Sequence, residues 1–279
     1  MNLESEDQAT NEEIALFIKA IHQSYGYDFR DYAPASLRRR VLRARELFEC
    51  ASITELQARA VRDKTFFALL LSEMTVTVSE MFRDPKVYRK LIDEVFPVLA
   101  TYPSIRIWHA GCSTGEEVYS MAILLHEEGL LKRTTLYATD INPTALRKAR
   151  SGVFTTEEIQ ISTANYQKAG RLGSFSDYYT ADYGSVLMDR SLRDKVVFAE
   201  HNLATDSVFS EVHLILCRNV MIYFNRAMQN RVLKTFYDSL LFKGFMCLGP
   251  KETLSFSDYQ NVFSEINLDA RIFQKLGGH

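Results

Sequence analysis

The feature that most constrains this chain is a short apolar run that ends in a glycine-rich turn and leads into a helix. The run covers 105–110, the turn reads Gly111-Cys112-Ser113-Thr114-Gly115, and an amphipathic stretch over 116–128 follows. A second apolar run then ends in Asp140. Strands that alternate with helices predict a mostly parallel, doubly wound sheet, which binds ligands at the carboxyl ends of its strands.

The same alternation continues toward the C-terminus. Further strands are predicted at 196–200, 212–217 and 245–249, with a helix at 226–241. Between 154 and 195 the alternation lapses in a segment rich in serine, glycine and tyrosine. Strand-like pieces near 175–179 and 185–188 indicate a small antiparallel sheet inserted into the α/β domain.

The first 75 residues have a helical pattern instead. One apolar face repeats at helical spacing through Ile14, Phe17, Ile18 and Ile21. Thr10 and Glu13 have capping-box spacing and predict that this helix begins beside them. We expect a helical N-terminal domain over 1–75 and an α/β domain over 76–279, with the insertion at about 154–195.

Composition excludes several classes of protein. The 279 residues carry a net charge of −2, which argues against a general nucleic-acid binder. The four cysteines form no CxxC pair and the histidines no HExxH motif, so we expect neither a metal site nor a disulfide framework. No apolar run approaches the roughly 20 residues of a membrane helix, and the polar first residues do not resemble a signal peptide. We expect a cytoplasmic protein with no membrane insertion.

The turn after the first strand indicates a particular kind of cofactor. Gly111 and Gly115 allow close approach of a ligand, and Asp140 can accept hydrogen bonds from ribose hydroxyls. The spacing is GxxxG, so neither the dinucleotide fingerprint nor the P-loop is present. Glu116 and Glu117 would repel a pyrophosphate but suit a cationic ligand. S-adenosylmethionine, which has a sulfonium, an ammonium and no phosphate, fits best. The alternative is a plain helix-initiating loop with solvated glutamates.

Four blocks of sequence occur together. They are Thr77-Val78-Ser79-Glu80-Met81-Phe82-Arg83, the segment 110–117, Asn202-Leu203, and Cys217-Arg218-Asn219-Val220-Met221-Ile222-Tyr223-Phe224. In this order and spacing they strongly resemble the CheR family of chemoreceptor glutamate methyltransferases, over nearly the whole chain. The resemblance implies a Rossmann-like class I methyltransferase domain with a small inserted β-subdomain, preceded by an all-α domain.

The resemblance also implies roles for individual residues. Arg83 and Tyr223 would face the reacting carboxylate, Glu117 the methionine ammonium and Asp140 the ribose. The residues implied to hold S-adenosylmethionine, or its product S-adenosylhomocysteine, are Thr77, Ser79, Arg83, Glu117, Asp140, Asn202, Leu203, Cys217 and Arg218. In some family members the β-subdomain binds a tethering peptide at the receptor C-terminus; this sequence leaves that question open.

A run of arginines in the second predicted helix has two interpretations. Arg38, Arg39, Arg40 and Arg43 lie in a stretch without acidic residues, and Arg39 and Arg43 lie opposite the apolar stripe. The run is either a solvated charged face or a surface that steers an acidic receptor helix toward the active site.

Other functions stay open at this stage. The chain could be a non-catalytic module that binds the cofactor and regulates a signalling partner, or a methyltransferase for a small-molecule acid. A nicotinamide oxidoreductase is disfavoured because GxGxxG is absent. No heptad pattern argues for an oligomer, so a monomer is favoured.

Overall fold

The computed structural model describes residues 3–75, 77, 79–208 and 210–277. The chain divides into two compact units. Unit 1 comprises Met1–Val76 and Tyr223–Gln229, and unit 2 comprises Thr77–Ile222 and Asn230–His279. Within the described ranges, no helix combines the length and the apolarity that crossing a membrane requires.

Four helices make up unit 1 between residues 3 and 74. Its helices are α1 (Leu3–Tyr25), α2 (Pro34–Leu47), α3 (Ile53–Arg62) and α4 (Lys64–Met74). The side chain of Ser52 accepts a backbone hydrogen bond in front of α3, and that of Asp63 does so in front of α4. The capping box predicted at Thr10 is wrong, because α1 begins at Leu3 and runs through that position.

The predicted apolar stripes form the core of unit 1. Phe17 and Ile21 of α1 are each 1% exposed, and Val41 and Ala44 of α2 are fully buried. Burying each large apolar side chain stabilises the fold by about 1.5–3 kcal/mol. On the face of α2 opposite its apolar stripe lie arginines.

Strands and helices alternate through most of unit 2. The strands are β1 (Ile105–Ala110), β2 (Thr134–Asp140), β3 (Val153–Thr155), β4 (Tyr179–Asp182), β5 (Ser185–Met188), β6 (Val196–Glu200), β7 (Val212–Cys217), β8 (Leu240–Leu248), β9 (Phe263–Asn267) and β10 (Ile272–Lys275). The helices after residue 76 are α5 (Pro85–Lys90), a π-helical turn (Leu91–Val95), α6 (Phe96–Leu99), α7 (Glu116–Glu127), α8 (Pro143–Ser151), α9 (Thr156–Lys168), α10 (Arg190–Arg193) and α11 (Arg226–Ser239). Short 3₁₀ helices lie at Leu131–Arg133, Phe175–Tyr178, Met221–Tyr223 and Gln260–Val262.

A seven-stranded sheet forms the centre of unit 2, in the order β6-β2-β1-β7-β8-β10-β9. The neighbours from β6 to β8 pair in parallel, and β10 is antiparallel to both β8 and β9. The predicted α/β class is confirmed. Strands β9 and β10 were not predicted; they form the antiparallel end of the sheet.

The lapse in alternation corresponds to a second, three-stranded sheet in the order β3-β5-β4, antiparallel throughout. The predicted inserted sheet is therefore confirmed. The strand predicted near 175–179 is wrong for most of its length, because Phe175–Tyr178 forms a 3₁₀ helix and β4 begins at Tyr179. Helix α9, which also lies in this segment, was not predicted.

Candidate functional site

Several candidate cofactor residues of unit 2 lie at or just after strand ends along one edge of the large sheet. Strands β1, β2, β6 and β7 run parallel, so their carboxyl ends lie on the same side. Strand β1 lies between β2, which follows it in the chain, and β7, which comes much later. The order of strands therefore reverses beside β1, and this edge is a switch point of the topology. Ligands of open α/β sheets bind at such points.

The turn after β1 is fixed by neighbouring chain. The Gly111 N–H donates to the Thr139 carbonyl at 2.8 Å. Gly111 and Gly115 both have positive φ, +78° and +94°. A Cβ on Gly111 would lie 2.5 Å from Val220 Cγ2, and one on Gly115 would lie 3.0 Å from Ala149 Cβ. The two glycines are therefore required by the packing of the turn, which adds to the ligand-based reason given by the sequence.

Asp140 joins two loops at the end of β2. Its Oδ2 accepts the Ser113 N–H and its Oδ1 accepts the Asn142 N–H, both at 2.8 Å. Burial raises the pKa of Asp140 above its usual value, against the lowering effect of these hydrogen bonds. The buried Ser113 Oγ has no hydrogen-bond partner among the described residues. A carboxylate with remaining acceptor capacity beside an unpaired hydroxyl fits the hydroxyls of a ribose.

Glu117 is an ionised carboxylate in the first turn of α7. Its Oε1 lies 3.1 Å from His109 Nδ1, and its Oε2 accepts from Arg218 Nη1 at 3.0 Å. Burial by itself raises the pKa of Glu117, but the His109 hydrogen bond and the Arg218 charge outweigh burial, and the net pKa is lowered. A carboxylate that stays anionic here fits a ligand carrying an ammonium or a sulfonium.

Arg218 connects Glu117 to the segment that precedes α5. Its side chain is only 2% exposed, and its Nη2 donates to Asp84 Oδ2 at 2.8 Å and to the Arg83 carbonyl at 3.1 Å. Burial by itself lowers the pKa of a guanidinium, but the Glu117 charge raises it, so the pKa of Arg218 is above its usual value. The fold tolerates this buried charge because it is paired and hydrogen-bonded.

Arg83 lies on a turn with an unusual backbone. Its two neighbours, Phe82 and Asp84, have φ of +55° and +57°, a conformation that costs a non-glycine residue about 1–3 kcal/mol. Burial of Phe82 and a 2.9 Å hydrogen bond from its N–H to Ser120 Oγ hold the turn, together with the bond from Arg218. Strained backbone that several contacts hold in place is typical of functional sites.

The remaining cofactor candidates lie in loops and strand ends. Asn202 Oδ1 accepts the Ala204 N–H at 2.9 Å, and the Asn202 N–H donates to Asp206 Oδ2 at 2.8 Å, which folds the loop after β6. Cys217 is fully buried at the end of β7, and burial raises the pKa of its thiol, so it is no nucleophile. Thr77, Ser79 and Leu203 are half-buried.

Tyr223 belongs to unit 1, which no sequence pattern indicates. Its carbonyl accepts the Ala33 N–H at 2.8 Å, and the next residue, Phe224, forms an antiparallel bridge with Tyr32. The guanidinium carbon of Arg40 lies 4.8 Å from the centroid of the Tyr223 ring, a cation–π distance. The fourth sequence block therefore begins in unit 2 and ends among the N-terminal helices.

The arginines of α2 differ in their surroundings. Arg39 and Arg43 are exposed, and Arg38 donates to an asparagine of α1 at 3.1 Å. Arg40 is half-buried and donates to the Met74 carbonyl at 3.3 Å, and burial lowers its pKa. Among these arginines, Arg39 and Arg43 are thus open to solvent, whereas Arg40 packs inside its own unit. In the part of the chain that the structure describes, no group of His, Cys, Asp and Glu side chains could hold a metal ion.

One buried carboxylate was missed by sequence reasoning. Glu252, shortly after β8, is 4% exposed and accepts backbone N–H groups from the turn after β7. No motif contains it. The available signal was an acidic residue four positions after a buried strand, which is weak on its own.

Two family models match the chain. The CheR methyltransferase SAM-binding domain matches residues 77–272, and the CheR methyltransferase all-alpha domain matches residues 12–75. A Pseudomonas putida relative named Cher3, a methyltransferase by its name, is 51% identical over 96% of this chain and 98% of its own. A chemotaxis protein methyltransferase from Vibrio parahaemolyticus is 30% identical over 75% of this chain and 77% of its own. One from Listeria innocua is 28% identical over 85% and 88%.

Among solved structures, the chain is similar to the magnesium protoporphyrin IX methyltransferase of Synechocystis PCC 6803 with bound SAM. The TM-score is 0.37, with 14% identity over 68% of this chain and 80% of that one.

The parallel sheet, its acidic ligand edge and the SAM-binding family model define a methyltransferase of Rossmann-like fold that uses S-adenosylmethionine. Its helical N-terminal segment matches the all-alpha model that accompanies this domain. The chain belongs to the CheR methyltransferase family.

Proposed function

We propose that this protein transfers a methyl group from S-adenosylmethionine to glutamate side chains of methyl-accepting chemoreceptors. The products are glutamyl methyl esters and S-adenosylhomocysteine. The observation that carries the proposal is the buried Arg218, which pairs with Glu117 and binds the Arg83 carbonyl. This pairing joins the proposed cofactor contact to the proposed catalytic arginine. The names of the Vibrio and Listeria relatives support a chemotaxis role.

The chemistry needs few protein groups. When bound, S-adenosylmethionine supplies an electrophilic methyl on a sulfonium. A glutamate side chain has a reference pKa near 4.3, so it is already an anionic nucleophile at neutral pH and needs no general base. The buried Cys217 has no part in this chemistry. Proximity and orientation can supply up to roughly 7–11 kcal/mol.

The proposed cofactor roles follow from the charges in unit 2. Glu117, kept anionic by His109 and Arg218, would bind the methionine ammonium. Asp140 and Ser113 would bind the ribose hydroxyls, and the loop of Asn202 and Leu203 would lie against the rest of the nucleoside. Thr77, Ser79 and the turn at Cys217 would make the remaining contacts with the cofactor.

Arg83 and Tyr223 are proposed as the residues that act on the acceptor. Arg83 would hold one carboxylate oxygen while the other attacks. The Tyr223 hydroxyl would donate to the carboxylate and aim it. Because full neutralisation would weaken the nucleophile, Arg83 is expected to position the carboxylate.

The proposed substrate is the cytoplasmic helical domain of a chemoreceptor, which places the enzyme in the cytoplasm. Exposed Arg39 and Arg43 would steer the acidic receptor surface by long-range attraction. Arg40 is expected to act differently, because it packs on Tyr223. No role in binding nucleic acid is proposed, and a monomer is sufficient for this activity.

A non-catalytic module that binds S-adenosylmethionine is the competing function. The two are separated by incubating the protein with S-adenosylmethionine and a receptor cytoplasmic fragment, and by measuring S-adenosylhomocysteine formed per protein molecule. An enzyme gives many turnovers that require the receptor fragment. A regulatory module binds S-adenosylmethionine in a calorimetric titration but forms no product.

A further inference from the structure

Glu252 is a buried carboxylate that serves four backbone donors. Its Oε1 accepts the N–H groups of Val220 and Met221 at 2.9 and 2.7 Å. Its Oε2 accepts those of Asn219 and Gly249 at 3.0 and 2.5 Å. A carboxylate is the side chain suited to this task, because both of its oxygens accept and neither donates.

The turn that Glu252 binds lies between two parts of the proposed site. Arg218, immediately before the turn, holds Glu117 and the Arg83 carbonyl. Val220 lies inside this turn and packs closely on the glycine-rich turn after β1. A Cβ on Gly111 would lie 2.5 Å from the Val220 side chain. Any shift of this backbone therefore moves groups on both sides of the cofactor edge.

The turn itself is held in an unusual conformation. Asn219 has φ of +61°, a left-handed backbone that is uncommon for a residue other than glycine. Gly249 lies so close that a Cβ there would meet the Asn219 N at 2.6 Å. Three consecutive backbone N–H groups donate to one carboxylate, so its removal takes the observed acceptor from all three at once.

We propose that Glu252 is a positioning residue of the methyltransferase site. By binding the backbone from Asn219 to Met221, it sets the place of Arg218 and, through Arg218, of Glu117. It has no contact with substrate in this role and acts only through the turn. This inference rests on the proposed cofactor role of Glu117, and it adds a residue that lies outside the four sequence blocks.

The test is Glu252→Gln, which keeps the size of the side chain but replaces one acceptor oxygen by an NH₂ donor. Two of the backbone N–H groups then face a donor. We expect the affinity for S-adenosylhomocysteine, measured by calorimetry well below the melting temperature, to fall by about tenfold or more. The matched control is Glu94→Gln, because Glu94 also fixes the chain in unit 2, through Asn267 at 3.0 Å, without touching the cofactor edge.

A purely structural role gives a different result. In that case both variants lose thermal stability, but the folded Glu252→Gln protein binds S-adenosylhomocysteine as tightly as the wild type, and the proposal is overturned. If Glu252→Gln does not fold, Glu252→Asp takes its place; it keeps the charge but withdraws it by one methylene. Weaker binding by the folded Asp variant supports the proposal, and unchanged binding refutes it.

The binding measurement does not depend on which protein accepts the methyl group. Wild type that binds S-adenosylhomocysteine but methylates no receptor would end the proposed function, and the effect of Glu252→Gln on binding would still decide the positioning role. Conversely, a methylating enzyme with unaltered binding in the variant keeps the function and loses this inference.

Discussion

Replacing Arg40 by alanine should slow methyl transfer itself, whereas replacing Arg39 should change only the encounter with the receptor. The two arginines are neighbours on α2, but Arg40 lies 4.8 Å from the Tyr223 ring centroid and Arg39 is exposed. The comparison therefore separates support of a proposed catalytic tyrosine from long-range attraction.

The magnitude follows from the contact. A cation over an aromatic ring is worth about 0.5 kcal/mol at an exposed site and about 2 kcal/mol when desolvated. If the whole of this interaction energy serves to align Tyr223 in the transition state, its loss in Arg40→Ala lowers kcat about 2- to 30-fold. Arg40 is half-buried, so we expect a value in the middle of that range.

The assay is steady-state methylation of receptor-containing membranes at two salt concentrations. The Debye length falls from about 10 Å at 0.1 M to about 3 Å at 1 M, so steering by Arg39 should disappear at high salt. Arg39→Ala should lower kcat/KM at low salt only and leave kcat unchanged. Arg40→Ala should lower kcat at both salt concentrations.

The double variant Arg40→Ala/Tyr223→Phe tests the connection directly. If Arg40 acts through Tyr223, the double variant should be less impaired than the product of the two single effects. An Arg40→Ala enzyme with normal kcat and a defect that vanishes at high salt would refute the reasoning and make Arg40 a steering residue like Arg39.

Three further predictions concern single groups. Tyr223→Phe, which removes only the hydroxyl, should lower kcat and leave S-adenosylhomocysteine affinity nearly unchanged in calorimetry; a large loss of affinity would contradict this division of roles. Asp140→Ala should weaken that affinity by about tenfold to hundredfold. It should also abolish the preference for S-adenosylhomocysteine over its 2′-deoxy analogue, and a retained preference would remove the ribose role. For Asp28, the side-chain hydrogen bond from Arg30 lowers the pKa from 3.8 to about 2, so the folded state binds this proton less readily than the unfolded state. The stability advantage of wild type over Asp28→Asn should therefore be full above about pH 4 and vanish toward pH 2 in urea titrations, and an unchanged gap across this range would count against the ion pair.

The sequence was informative where local periodicity decides structure. The stripes of α1 and α2, the strand–turn–helix at 105–127 and the position of Asp140 follow from spacing alone, and the structure has them where they were predicted. Strands β9 and β10 escaped prediction because they are short, partly exposed and stabilised by pairing, β10 with β8 and β9 with β10. Pairing between distant segments leaves little trace in either segment.

At the candidate site, too, contacts between distant segments could not be predicted from the sequence. Resemblance singled out Arg218 as part of a cofactor turn, but its bonds to Asp84 and the Arg83 carbonyl depend on chain segments far apart in sequence. Glu252 and the contact between Arg40 and Tyr223 are likewise non-local. A buried acid shows its role only when the donors around it are known.

The most direct test of the central claim uses S-adenosylmethionine labelled in its methyl group and receptor-containing membranes. After the reaction, the receptor band is treated with mild alkali, which hydrolyses carboxyl methyl esters but not methylated amines. We expect label on the receptor that leaves as volatile methanol. Label that resists alkali, or no label from a protein that still binds S-adenosylmethionine, would contradict it.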